Sequence, residues 1–126
     1  MTADRWVLVR WLLVIDALAT GIVYGIGSRA EHQGLSFYYV NQFPGGMRAV
    51  GWLYLAVGAL LAAGAHELEW RIAGHLLAVF AYLLYGIGLA LAYTRGGDPG
   101  AGPVHMLLIA AMHAVLAVET ARRKAK

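Results

Sequence analysis

Trp6-Val-Leu-Val-Arg-Trp-Leu-Leu-Val-Ile-Asp-Ala-Leu-Ala-Thr-Gly-Ile-Val-Tyr-Gly-Ile26 is a run of apolar and small residues in which only Arg10 and Asp16 carry charge. A helix rises ~1.5 Å per residue, so about 20 such residues cross the ~30 Å hydrocarbon core of a bilayer. Further apolar stretches lie at roughly 49–65, 72–93 and 104–118, and with 6–26 they take up most of the 126 residues. Little is left to build a soluble domain. The sequence therefore predicts an all-α integral membrane protein, a four-helix transmembrane bundle forming one domain over 1–126. A loop at 28–48 and a basic tail at 119–126 complete it.

Composition points the same way. Hydrophobic residues make up 60% of the chain and charged ones 13%, with mean hydropathy +0.62. Soluble domains carry about 25% charged residues. The absence of cysteine excludes a disulfide framework, a haem thioether and a Cys-based zinc site. His66, Glu67 and Glu69 fall in one turn but lack H-E-x-x-H spacing, so no metal site is expected. The net charge of +3 is not a nucleic-acid footprint. Four of the ten basic residues, Arg122, Arg123, Lys124 and Lys126, follow the last apolar stretch, where such clusters meet the cytoplasm and anionic headgroups. A cleaved signal peptide fits the first stretch poorly, because Arg10 and Asp16 interrupt what would be its apolar region. Residues with GC-rich codons dominate, which points to a high-GC bacterium or one of its phages.

Orientation follows from Lys and Arg. With both termini inside, Arg5, Arg10, Arg71, Arg122, Arg123, Lys124 and Lys126 are cytoplasmic, and Arg29, Arg48 and Arg95 are outside. That seven-to-three split favours an N-in, C-in multi-pass protein of the bacterial cytoplasmic membrane. Trp6, Trp11 and Trp70 would mark the inner interface, and Trp52, Tyr54 and Tyr93 the outer one. The 28–48 loop is then extracytoplasmic. Its Phe37, Tyr38, Tyr39 and Phe43 suit a segment lying among headgroups, or alternatively a surface that docks a partner.

A faint repeat joins the first and third stretches. Val23-Tyr-Gly-Ile-Gly27 recurs as Leu84-Tyr-Gly-Ile-Gly88, and the same offset aligns Arg10 with Arg71 and Ala17 with Ala78. A duplication would be a parallel one, of two helical hairpins; chance coincidence of small and apolar residues explains the match equally well.

Asp16 is the most unusual residue. An aspartate at the centre of a membrane helix costs ~2.5–3.5 kcal/mol, so it should face the bundle interior or water. Arg10 lies six residues earlier, about 240° around the axis, and does not pair with it but can snorkel to the headgroups. Asp16 could serve as a proton or cation site or a pore lining. It could equally be a link to a hydroxyl on another helix, such as Tyr82 or Tyr85. His75 and His113 should lie at comparable depth on neighbouring helices. Two such imidazoles could ligate haem iron; hydrogen bonds to carbonyls or headgroups are the plainer role, and no cofactor is expected. Gly21 and Gly25 form a G-x-x-x-G, and Gly58 lies in the second stretch, all suited to close helix packing within the chain.

Two segments, Leu8-Val-Arg-Trp-Leu-Leu-Val-Ile-Asp16 and Val40-Asn-Gln-Phe-Pro-Gly-Gly-Met-Arg-Ala-Val-Gly-Trp52, resemble the small four-span membrane proteins of actinobacteriophages, some of them holin-like. The resemblance covers roughly the first half of the chain and implies a membrane-permeabilising protein acting by oligomerisation. It assigns no site residue. A non-catalytic accessory subunit of a larger membrane complex is the alternative, with a haem- or quinone-binding module third. No convergent set of polar groups marks an enzyme. The partners implied are the lipid bilayer and further copies or a larger complex, with no nucleic acid.

The topology is tested with terminal fusions to a reporter that is active only outside the cytoplasm. Silence at both ends is expected, whereas signal from the C-terminal fusion would remove a span.

Overall fold

In the computed structural model, residues 3–27, 37–96, 100 and 102–126 are described. Helix α1 covers Ala3–Ile26, α2 Gly46–Ala63, α3 Leu68–Tyr93 and α4 Gly102–Lys124. At ~1.5 Å per residue they are about 27–39 Å long, and all four are long and apolar enough to cross a membrane. They run up, down, up and down as a transmembrane bundle. The loop at 28–48 falls partly outside the described residues; from Phe37 onward it includes a short 3-10 helix, η1 (Val40–Gln42).

The surface carries the apolar side chains that a soluble bundle would hide. Leu12, Ile15, Phe80, Leu108 and Val115 all point outward and are more than half exposed. A continuous jacket of this kind is what lipid solvates. The interior holds Tyr54, Val57, Leu61, Ala78, Ala81 and Tyr82, all buried. Tyr54, expected at an interface, instead lies fully buried with its ring edge-on to Tyr82 at 4.7 Å. Its position two residues after Trp52 turns it to another face of α2.

Lipid is as apolar as leucine, so close packing rather than expulsion from water must join the helices. On the α1–α2 seam, Gly21 and Gly25 meet Gly51 and Leu55, and Gly58 meets Leu18. A Cβ on Gly51 would fall 2.1 Å from the Gly25 nitrogen, so the two backbones touch where both residues lack side chains. Glycine also seats α3 on its neighbours: Gly74 lies against Leu61 of α2 and Gly86 against Met106 of α4. Contacts follow chain order, α1 with α2, α2 with α3, and α3 with α4, while α1 and α4 meet only sparsely.

Helix ends differ from the sequence reading for local reasons. Gly45 and Gly46 adopt positive φ of 84° and 56°, and the Met47 amide donates to Asn41 Oδ1 at 3.3 Å, so α2 starts at the Pro44-Gly-Gly turn. Glu67 is extended and α3 begins immediately after it. Helix α4 continues through most of the basic tail to Lys124, placing Arg122, Arg123 and Lys124 in its last turn beside the negative end of the helix dipole. Trp6, Trp11 and Trp70 are exposed near the end that carries both chain termini, and Trp52 and Tyr93 near the other.

Gly51→Ala should force α1 and α2 apart and cost about 1–3 kcal/mol. Gly58→Ala should cost less, because its new methyl meets chiefly the movable end of Leu18. Thermal unfolding of both variants in detergent checks this ordering.

Candidate functional site

The polar side chains form two groups, one threaded through the bundle and one gathered at its terminal end. In the first, the Tyr82 hydroxyl donates to Asp16 Oδ2, joining α3 to the centre of the Trp6–Ile26 span. The Tyr24 and Tyr85 hydroxyls share a 2.8 Å hydrogen bond farther along the same two helices. Tyr54 packs edge-on to both Tyr82 and Tyr85. Each hydroxyl so placed satisfies a polar group that hydrocarbon cannot.

Asp16 is nevertheless exposed on the single chain, even with Tyr82 bonded to it. It lies one face over from buried Leu13 and Ala17, and about two turns after Val9 on the same face of α1, the face that lines the α1–α4 cavity described below. The bond to Tyr82 satisfies part of the carboxylate, and the remainder faces out of the bundle at mid-membrane depth.

His75 and His113 come together. Their Nδ1 atoms lie 2.9 Å apart and both residues are buried. One ring must donate and the other accept. His113 Nε2 is buried without a partner among the described residues. An unpaired N–H is costlier to bury than a bare lone pair, so His113 is assigned as the Nδ1–H donor and His75 as the acceptor. His75 then carries its proton on Nε2, and it lines the cavity described next. The His113 ring also stacks on Tyr82, with centroids 5.5 Å apart. As packed, the two Nδ1 atoms are bonded to each other and stand closer than the ~4 Å that would separate trans axial ligands holding one iron by ~2 Å bonds, so the pair does not straddle a haem iron.

At the terminal end, a cavity of about 450 Å³ opens between α1 and α4 over α3. Arg10, Arg71 and Arg123 enter it from the three helices, with Glu119 on α4. Arg71 Nε donates to the Gly64 carbonyl at 2.8 Å. Arg10 Nε is buried without a partner among the described residues, and its guanidinium lies 5.7 Å from the Trp11 ring centroid. Sequence reading treated Arg10 as a headgroup anchor and passed over the convergence of three arginines. Its traces were the charge split, which puts all three at one end, and the Arg10–Arg71 alignment in the repeat.

The aromatic quartet divides. Phe37 stacks on Tyr85 with centroids 6.4 Å apart, and buried Val40 caps Gly88, so this stretch closes the far end of the bundle. Tyr38 and Tyr39 hold Arg95, whose Nε donates to the Tyr39 hydroxyl at 2.8 Å. Phe43 stays exposed. Gly21, Gly25 and Gly58 all lie on the α1–α2 seam. Among the described residues, no group of three or more His, Asp or Glu side chains is arranged to hold a metal ion.

Replacing either His75 or His113 with Leu should destabilise the bundle by about 1–3 kcal/mol, because the remaining imidazole loses its buried partner. The double replacement should cost less than the sum. A double-mutant cycle on unfolding in detergent measures this, and strict additivity would show that the pair is not coupled.

No family model matches this chain, and neither a curated protein nor a solved structure matches it.

Proposed function

We propose that this small polytopic membrane protein assembles with further copies of itself and permeabilises the membrane in a holin-like manner. The observation that carries the reading is Asp16, exposed at the centre of a membrane span on the same face of α1 as Val9, which lines the cavity between α1 and α4. A carboxylate left against lipid at this depth is costly. A neighbouring copy, with water between, removes that cost and turns a row of such slots into an aqueous path. The basic split favours both termini in the cytoplasm, and the membrane is that of a bacterium or, for a phage gene, its host.

A second reading draws on the same slot. In a non-catalytic accessory subunit, one helix of a different protein would lie between α1 and α4. The two differ in what the chain does alone: the first assembles and leaks, while the second stays monomeric and harmless.

Inducible expression in a bacterial host, with membrane potential and viability followed, tests the proposal. Wild type should depolarise the cells and cross-link into dimers and higher species. Asp16→Leu should abolish depolarisation, and Asp16→Asn should reduce it at equal expression. Tyr82→Phe should weaken the bundle by about 0.6–1.7 kcal/mol, the range for membrane hydrogen bonds. Unchanged potential on wild-type expression would refute permeabilisation.

A further inference from the structure

We propose that the cavity at the terminal end is a binding site for the phosphate headgroup of an anionic phospholipid. Three guanidiniums converge there from three different helices, with Arg71 within electrostatic reach of both Arg10 and Arg123. Like charges gathered around a space repel one another, and the arrangement is relieved when an anion occupies that space. The one carboxylate on the rim, Glu119, is engaged with Arg122 at 3.3 Å, so the lining stays net positive. Arg10 Nε, buried and without a partner, supplies a donor with no acceptor among the described residues. Guanidinium forks match phosphate oxygens in pairs.

The walls distinguish a lipid from free phosphate. Trp6, Val7, Val9 and Leu116 line the same cavity as the arginines. A ligand that is anionic at one end and apolar at the other satisfies both surfaces, with its acyl chains leaving past Val7 and Leu116 into the surrounding lipid. The depth fits as well, since exposed Trp6, Trp11 and Trp70 mark the headgroup region at this end. A volume of about 450 Å³ lies within the usual range of ligand pockets. The site requires only that this end lie at a membrane surface, so it stands apart from permeabilisation.

The test uses the purified full-length chain, stripped of lipid in nonionic detergent. Phosphatidylglycerol, phosphatidylcholine and inorganic phosphate are added separately, and retention by native mass spectrometry and thermal midpoint are read. Phosphatidylglycerol should be retained at one per chain and should raise the midpoint, while phosphatidylcholine and inorganic phosphate should do neither. Arg10→Gln and Arg123→Gln should each weaken retention about tenfold, equivalent to roughly 1.4 kcal/mol. Without lipid, each should unfold no earlier than wild type, because a repulsion has been removed. Lys126→Gln, which deletes a charge at the same end outside the cavity, should retain lipid normally. Equal stabilisation by phosphatidylcholine, or equal loss in Lys126→Gln, would overturn the site. A response to inorganic phosphate with none to phosphatidylglycerol would overturn the lipid assignment.

Discussion

A carboxylate at the centre of a membrane helix has to be answered by a donor on the protein, and the bond from Tyr82 to Asp16 supplies it. Helix α1 packs chiefly on α2, so by chain order alone it would lie at the edge of the bundle. Tyr82 ties it to α3, and the Tyr24–Tyr85 hydroxyl pair adds a second tie between the same helices. Through these two bonds three helices surround one polar interior. The ring of Tyr82 extends the arrangement to α2 and α4 by packing on Tyr54 and on His113.

Side chains as large as tyrosine and histidine find room in a narrow bundle because glycine removes volume elsewhere. Gly51 against Gly25 draws α1 and α2 to backbone contact, and Gly74 against Leu61 brings α3 in. Polar grip and small-residue packing thus act side by side at the same heights, Gly25 next to Tyr24 and Gly74 next to His75. Neither depends on expelling water, which contributes nothing between helices already in hydrocarbon.

Four spans were legible because helix length and apolar content are local properties, set by bilayer thickness and readable from a single stretch. The pairing of His75 with His113 was legible as depth, since antiparallel neighbours share a height scale. Tyr82 was foreseen as one of two hydroxyls within reach of Asp16. The place of Tyr54 was not, because belt residues and core residues have the same composition and differ only in the face they occupy. The arginine cavity was hidden for another reason: the charge split puts Arg10, Arg71 and Arg123 at one end, but only the packing of three helices turns them into one cavity. Helix boundaries shifted where a turn residue, such as Gly45 with φ of 84° or extended Glu67, decided the start.

The repeat acquires geometric content in the folded chain. Residues equivalent by a twofold axis can touch their own counterparts only at that axis, and Tyr24 and Tyr85 do touch. Ala17 and Ala78 are both fully buried, and Arg10 and Arg71 line the same cavity. A perfect twofold would make the α4–α1 junction as close as the α2–α3 junction. The second is packed and the first stands open. At the matching offset, Asp16 on α1 corresponds to Leu77 on α3, which packs against the apolar core. The pattern therefore breaks where a carboxylate stands in place of an apolar side chain. At that position α1 carries a carboxylate that the Tyr82 hydroxyl answers within the chain, while the rest of it stays exposed at the centre of the span.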